Sequence, residues 1–143
     1  MLQLFNLKWQ SDISNLVDEL LTLERLDEKW TEILKRLKQN YNNIDFDTFK
    51  SVANKFETEF EQLLTYFIYR HFGVAKDKQQ ESSYILFAVF GYKLIYAICA
   101  EHYTRTNNLD FEDLVEFARL FSSEIEYSQD NFEKIKEKLW LNY

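Results

Sequence analysis

Apolar residues recur at three- and four-residue steps along almost the whole chain, a spacing that predicts amphipathic helices throughout. From about Ser11 to Gln39, one stripe of Ile13, Leu16, Val17, Leu20 and Leu23 is followed by another of Trp30, Ile33, Leu34 and Leu37. The register breaks around Leu26-Asp27, which predicts two helices or one kinked helix, capped by Ser11 or Asp12. Tyr41-Asn42-Asn43 predicts a loop. A second pattern runs from about Asp45 to His71, with Phe46, Phe49, Val52, Ala53, Phe56, Phe60, Leu63, Leu64 and Phe67 on one face and Lys50, Lys55, Glu57 and Glu61 on the other. Gly73 predicts its stop, through a left-handed backbone conformation.

The polar stretch Lys76–Glu81 predicts a connection into the most apolar segment, Tyr84–Ala100, a central core helix near residues 82–104. This segment is 17 residues long and carries Lys93 at its middle. It therefore reads as a core helix and not as a membrane span. Gly91 within it predicts a close approach of neighbouring elements. After the loop Thr104–Asn108, Asp110 predicts the cap of a further helix with Glu112 and Asp113 in its first turn and Phe111, Leu114, Val115, Ala118, Phe121 and Ile125 buried. A last short helix is expected from Asp130, with Glu133 as a capping-box partner and Phe132, Ile135, Leu139 and Trp140 turned inward.

Composition supports this picture. The chain has no proline and only two glycines, so the turn residues that a strand-rich domain needs are missing. A length of 143 residues suits one domain. The expected architecture is all-α, a single-domain bundle of about five helices spanning residues 1–143. Thirteen Phe, nine Tyr and three Trp make the aromatic share 17%, so the core should be thick with rings.

Charge and motif content exclude several chemistries. The net charge is −7, with −3 on residues 1–73 and −4 on residues 74–143, which disfavours a phosphate-tracking nucleic-acid surface. The basic run Lys35-Arg36-Leu37-Lys38 falls where cations complement a helix C-terminus. The start, Met1–Phe5, does not read as a secretory leader, and a cytoplasmic protein is expected. Cys99 lies in the apolar run Tyr96–Ala100 and reads as a buried, inert thiol. His71 and His102 lack metal-ligand spacing and read as helix-end or interhelical hydrogen-bonding residues. No glycine-rich phosphate loop or nucleophile elbow is present. Glu101, His102, Tyr103 and Arg105 form the nearest polar constellation, while Glu57, Glu59 and Glu61 read as solvated surface. The acidic stretch Asp110–Glu126, six acids against Arg119, reads as a solvated face or as a surface for a basic partner.

Two segments resemble a known family. Thr65-Tyr66-Phe67-Ile68-Tyr69-Arg70-His71-Phe72 is similar to the aromatic N-Y-L-V-Y-R segment of bacterial flagellin lysine-N-methylases, and Phe117–Ser128 resembles their C-terminal S-R-E-I-E-H-S segment. Between them, Leu109–Val115 is similar to an L-x-x-E-D-L-V helix start. Ser123 stands where the family segment has Arg, and Tyr127 where it has His. The resemblance covers roughly residues 20–138, and the cysteine-rich cluster of the family has no counterpart here.

This resemblance implies a helical C-terminal or accessory domain of a protein-lysine methylation enzyme, contributing substrate docking or scaffold, with no catalytic motif of its own. It is compatible with a fragment of a longer chain. Flagellin is the implied partner. S-adenosylmethionine and a metal centre on the cysteine cluster, zinc or iron–sulfur, are implied only for a longer family enzyme. The residues expected to meet substrate or partner are Tyr69, Arg70, Glu124, Glu126 and Tyr127, with an Arg70 ion pair to Glu124 or Glu126 as their simpler role. A second reading stays open: a non-enzymatic helical module holding a small apolar ligand among the rings of Tyr84–Tyr103, or forming a homo-oligomer such as a dimer.

Overall fold

A computed structural model describes residues 9–142, and the side chains of residues 13–71 and 73–140. The start Met1–Phe5 lies outside the described residues. The described chain is all-α, with seven α-helices and no strand among its residues: α1 (Trp9–Thr22), α2 (Glu28–Asn40), α3 (Phe46–Asn54), α4 (Glu57–Phe72), α5 (Lys78–Thr106), α6 (Phe111–Phe121) and α7 (Gln129–Asn142). A 3₁₀ turn, Tyr41–Asn43, follows α2, and a π turn, Ser122–Glu126, follows α6.

The break near Leu26-Asp27 separates α1 from α2, with Asp27 as N-cap accepting from the Lys29 N–H at 2.9 Å. The α1 backbone is already helical at Trp9, so Ser11 and Asp12 fall inside the helix and not at its cap. Lys38, in the last turn of α2, pairs with Asp18 of α1.

The Asp45–His71 pattern forms two helices instead of one. The chain tightens at Lys55-Phe56, where the Phe56 N–H donates to the Ala53 carbonyl at 2.9 Å. This step keeps Phe49, Phe56 and Phe60 on the core side of both helices, so the apolar stripe crosses the break without a gap. Gly73 ends α4 in the right-handed region, φ −66°, contrary to the expected left-handed stop. The left-handed cap lies at Asn107 (φ 58°), whose N–H donates to the Tyr103 carbonyl at 2.7 Å after α5. Asn tolerates that region better than most residues.

Helix α5 is longer than its apolar stretch. Asp77 caps it by accepting from the Gln80 N–H at 2.8 Å, which draws Lys78–Glu81 from the expected connection into the first turn. Its sequence is long and apolar enough to cross a membrane by length and composition, with mean hydropathy 1.7 in its most apolar window, yet 61% of that window is buried by the bundle. Helices α2, α3, α4, α6 and α7 all pack on it. Gly91 lets them close: a Cβ there would lie 3.0 Å from Phe121 Cζ and 3.1 Å from Phe67 Cε2.

Around Gly91 the core is a mosaic of rings. Phe67 meets Phe121 edge-on at 5.3 Å, and Phe87 lies 4.5 Å from Phe132. Helix α6 turns Leu114, Phe117, Leu120 and Phe121 inward. Phe111 and Val115 were expected inside but are 53% and 47% exposed, because the buried arc is rotated toward Phe117 and Leu120. Helix α7 starts one residue earlier than expected, after Ser128, whose carbonyl accepts from the Phe132 N–H at 2.8 Å. Glu133 pairs with Lys136 at 3.2 Å instead of closing a capping box on Asp130. Phe132, Ile135 and Leu139 are buried as expected, whereas Trp140 is 39% exposed.

Candidate functional site at the π turn

Where the sequence suggested one helix over Asp110–Glu126, the last turn widens. The Tyr127 N–H donates to the Ser122 carbonyl at 2.8 Å, five residues back, which defines the π turn. Such a turn inserts an extra residue into helical phase and often accompanies function. Here it buries Glu124, Ile125 and Glu126 in succession.

The two acids part company. Glu124 reaches the α1–α2 connection, where its carboxylate accepts from the Leu26 N–H at 3.0 Å and the Asp27 N–H at 2.7 Å. Asn131 of α7 ties the same connection by donating to the Glu24 and Glu124 carbonyls, each at 2.9 Å. Glu124 is therefore a bracket for the backbone ahead of α2. It does not meet Arg70, and it does not join the surface it was expected to share.

Glu126 turns toward the end of α4. Its side chain is fully buried; its carboxylate accepts from His71 Nε2 at 2.7 Å and the Tyr66 hydroxyl at 3.2 Å, and Arg70 Nε forms an ion pair with it at 3.3 Å. A buried carboxylate needs such partners, since desolvation otherwise disfavours its charge. Arg70 also lies over the Tyr127 ring, 4.6 Å from its centroid, a cation–π contact. The Tyr66 and Tyr127 hydroxyls are 3.5 Å apart. Burial, the Tyr127 hydroxyl and the Glu126 charge all hold the Tyr66 phenol above its usual range.

On the outside of this knot, Tyr66, Tyr69 and Tyr127 are 41%, 78% and 61% exposed. On the inside, the His71 ring is enclosed by Phe87 at 5.3 Å and Phe132 at 4.9 Å. Arg70, Glu126 and Tyr127, expected as site residues, are thus brought together. Tyr69 stands on the neighbouring surface of α4. Tyr66 and His71 belong to the site as well. Their spacing from Arg70, four residues before and one after, was the available signal, but only the position of Glu126 gives it meaning.

The other polar constellation closes on itself. Glu101 accepts from Asn40 Nδ2 at 3.1 Å and Arg105 Nε at 3.0 Å, and His102 Nε2 lies 3.4 Å from Asp113. Glu101, His102, Arg105 and Asp113 line a groove of about 280 Å³ between α2, α5 and α6. Cys99 is fully buried, and its apolar surroundings push the thiol well above its ordinary range.

Across residues 1–143, the sequence matches the family of the FliB lysine N-methylase C-terminal domain. The chain belongs to that family. In this FliB C-terminal domain, the two segments that carried the resemblance, Thr65–Phe72 and Phe117–Ser128, are those that meet at Glu126. No curated protein and no solved structure matches the chain. The residues of this domain do not fit a cysteine-cluster metal centre. Its sole cysteine is enclosed in the core, and no group of three His, Cys, Asp or Glu side chains among the described residues could hold a metal ion. Nor does a glycine-rich loop exist to cradle S-adenosylmethionine, so no step is assigned here through either group.

Proposed function

We propose that this domain is the protein-docking and scaffold part of a bacterial, cytoplasmic enzyme that methylates flagellin lysines. Family membership supports the enzyme class. The observation that carries the docking role is the surface at the π turn, where Arg70 and the exposed Tyr66 and Tyr127 gather over the buried Glu126 carboxylate, with the exposed Tyr69 on the adjoining face of α4. Tyrosine and arginine are enriched in the energetic centres of protein interfaces because each brings wide contact area together with polar donors. The buried ties of Glu126 fix Tyr66 and Arg70 in place, so little order has to be gained on binding.

The rival reading, a pocket for a small apolar ligand among the central rings, has less support. Most of those rings pack on one another, as Phe87 does on Phe132 at 4.5 Å, and the groove that opens beside Tyr92 and Tyr96 is rimmed by the charged Glu57 and Glu61.

The test uses the full-length enzyme with Tyr69→Ala and Tyr127→Ala together. Flagellin methyl-lysine, measured by mass spectrometry, should fall at least tenfold while the helical circular dichroism stays unchanged. Undiminished methylation with undiminished flagellin capture would reject the docking role.

A further inference from the structure

Helix α6 carries apolar side chains on two faces, and the bundle covers only one of them. Leu114, Phe117, Leu120 and Phe121 are buried, whereas Phe111 and Val115, a turn apart, remain about half exposed. Ala118 and Ser122, both half-buried, continue the exposed stripe, since positions 111, 115, 118 and 122 recur at four- and three-residue steps. Two charged residues edge that stripe. Glu112 and Arg119 stand seven residues apart, which returns them to nearly the same side of the helix.

Both charges have capacity to spare. Glu112 is exposed, complements the helix dipole from the first turn, and forms no ion pair among the described residues. Arg119 is exposed as well. It gives Nε and Nη2 to Glu116, each at 2.8 Å, and its Nη1 makes no hydrogen bond among the described residues.

Inverted, the stripe is complementary to itself. Two copies of α6 laid antiparallel about a two-fold axis exchange positions around a common midpoint. With the axis between Val115 and Glu116, Glu112 of each copy faces Arg119 of the other, so the opposite charges meet twice. Phe111 comes level with the gap between Ala118 and Ser122 of the second copy, where small side chains leave room for a ring. Val115 lies beside its own counterpart at the axis. A partner of unrelated sequence would require no such match between acid and base around one centre. We infer that this face of α6 is an isologous contact between two copies of the chain. An 11-residue helix offers only about 16 Å of contact length, so the dimer is weak and reversible. The contact does not depend on the docking role.

The test is sedimentation equilibrium of the 143-residue chain at physiological salt, which screens the repulsion between copies of net charge −7. The average mass should climb toward that of two chains as concentration rises. Val115→Glu, which sets two carboxylates at the axis, should weaken association by about tenfold or more. Val74→Glu, the same change at another exposed apolar residue, should leave it unaltered. Glu112→Arg alone and Arg119→Glu alone should each weaken association by about tenfold or more, because like charges then face each other. Mixing these two variants should restore it, since the mixed pair sets Arg against Glu on both sides. Helical circular dichroism should match the parent's throughout. A single-chain mass at every concentration, a dimer indifferent to Val115→Glu, or a mixture no tighter than its components would overturn the assignment. Flagellin capture by the Tyr69/Tyr127 variant reports on the docking surface independently, so either idea can fail alone.

Discussion

The Glu126 carboxylate meets His71 Nε2 at 2.7 Å inside a wall of rings, and this contact joins the end of α4 to the turn that follows α6. Removing a buried acceptor leaves its donors unmatched, which costs more than the pair itself contributes. Glu126→Gln should therefore destabilise the domain by about 3 kcal/mol, seen as a lower urea midpoint with an unchanged slope. A loss under about 1 kcal/mol would place the contact in the class of solvent-screened ion pairs.

Glu124 predicts a different signature. Its carboxylate supplies the acceptors for the Leu26 and Asp27 amides. Glu124→Ala should cost about 1–2 kcal/mol, as loss of a helix cap does. Amide hydrogen exchange should accelerate first at residues 26 and 27. If exchange instead rose uniformly along the chain, the bracket would have no local role.

Gly91→Ala sets two effects against each other. Alanine favours the helix by up to about 1 kcal/mol over glycine. The new methyl, however, would sit 3.0 Å from Phe121 Cζ and 3.1 Å from Phe67 Cε2, rings held on all sides in the core. Overpacking of this kind costs about 1–3 kcal/mol. The net should be a lower thermal midpoint, and a midpoint equal to or above the parent's would show that the rings can give way.

Lys93 makes stability depend on alkaline pH. Burial lowers its pKa from 10.5 to about 8. Between those values the unfolded chain holds a proton that the folded chain has released, so stability rises with pH from about 8. Near pH 9 the rise levels off, because Cys99, raised mainly by burial, keeps a proton that the unfolded thiol loses, and near pH 10 the trend reverses as Tyr92 and Tyr96, also raised mainly by burial, do the same. Lys93→Met should flatten the rise between pH 8 and 9 in urea titrations. An identical slope in the two proteins would assign the rise to other groups.

Helix content was legible in the sequence because a period of three to four residues survives any arrangement of the helices. The break at Lys55-Phe56 was not legible, since a one-step tightening keeps the stripe in phase and leaves no mark in the apolar pattern. Asp77 and Ser128 hid as helix starts because the polar residues after them look like loop. At the site, Arg70, Glu126 and Tyr127 could be singled out by family resemblance, and the Arg70–Glu126 pair was foreseen as one of two options. The divergence of Glu124 from Glu126 could not be read. Two residues apart on a regular helix they would face different ways, and the widened turn buries both.

That widened turn also sets how the segment tolerates changes of length. An α-helix advances by about 100° per residue, and a π turn holds one residue more than an α turn. Deleting Ser123 would let the stretch close into an ordinary α turn between Ser122 and Tyr127, which keeps Glu126 and Tyr127 in phase with His71 and Arg70. Side-chain replacements at the exposed Ser123 should leave this geometry standing. Loss of a single residue there should therefore leave α4 coupled to the α6–α7 junction through Glu126.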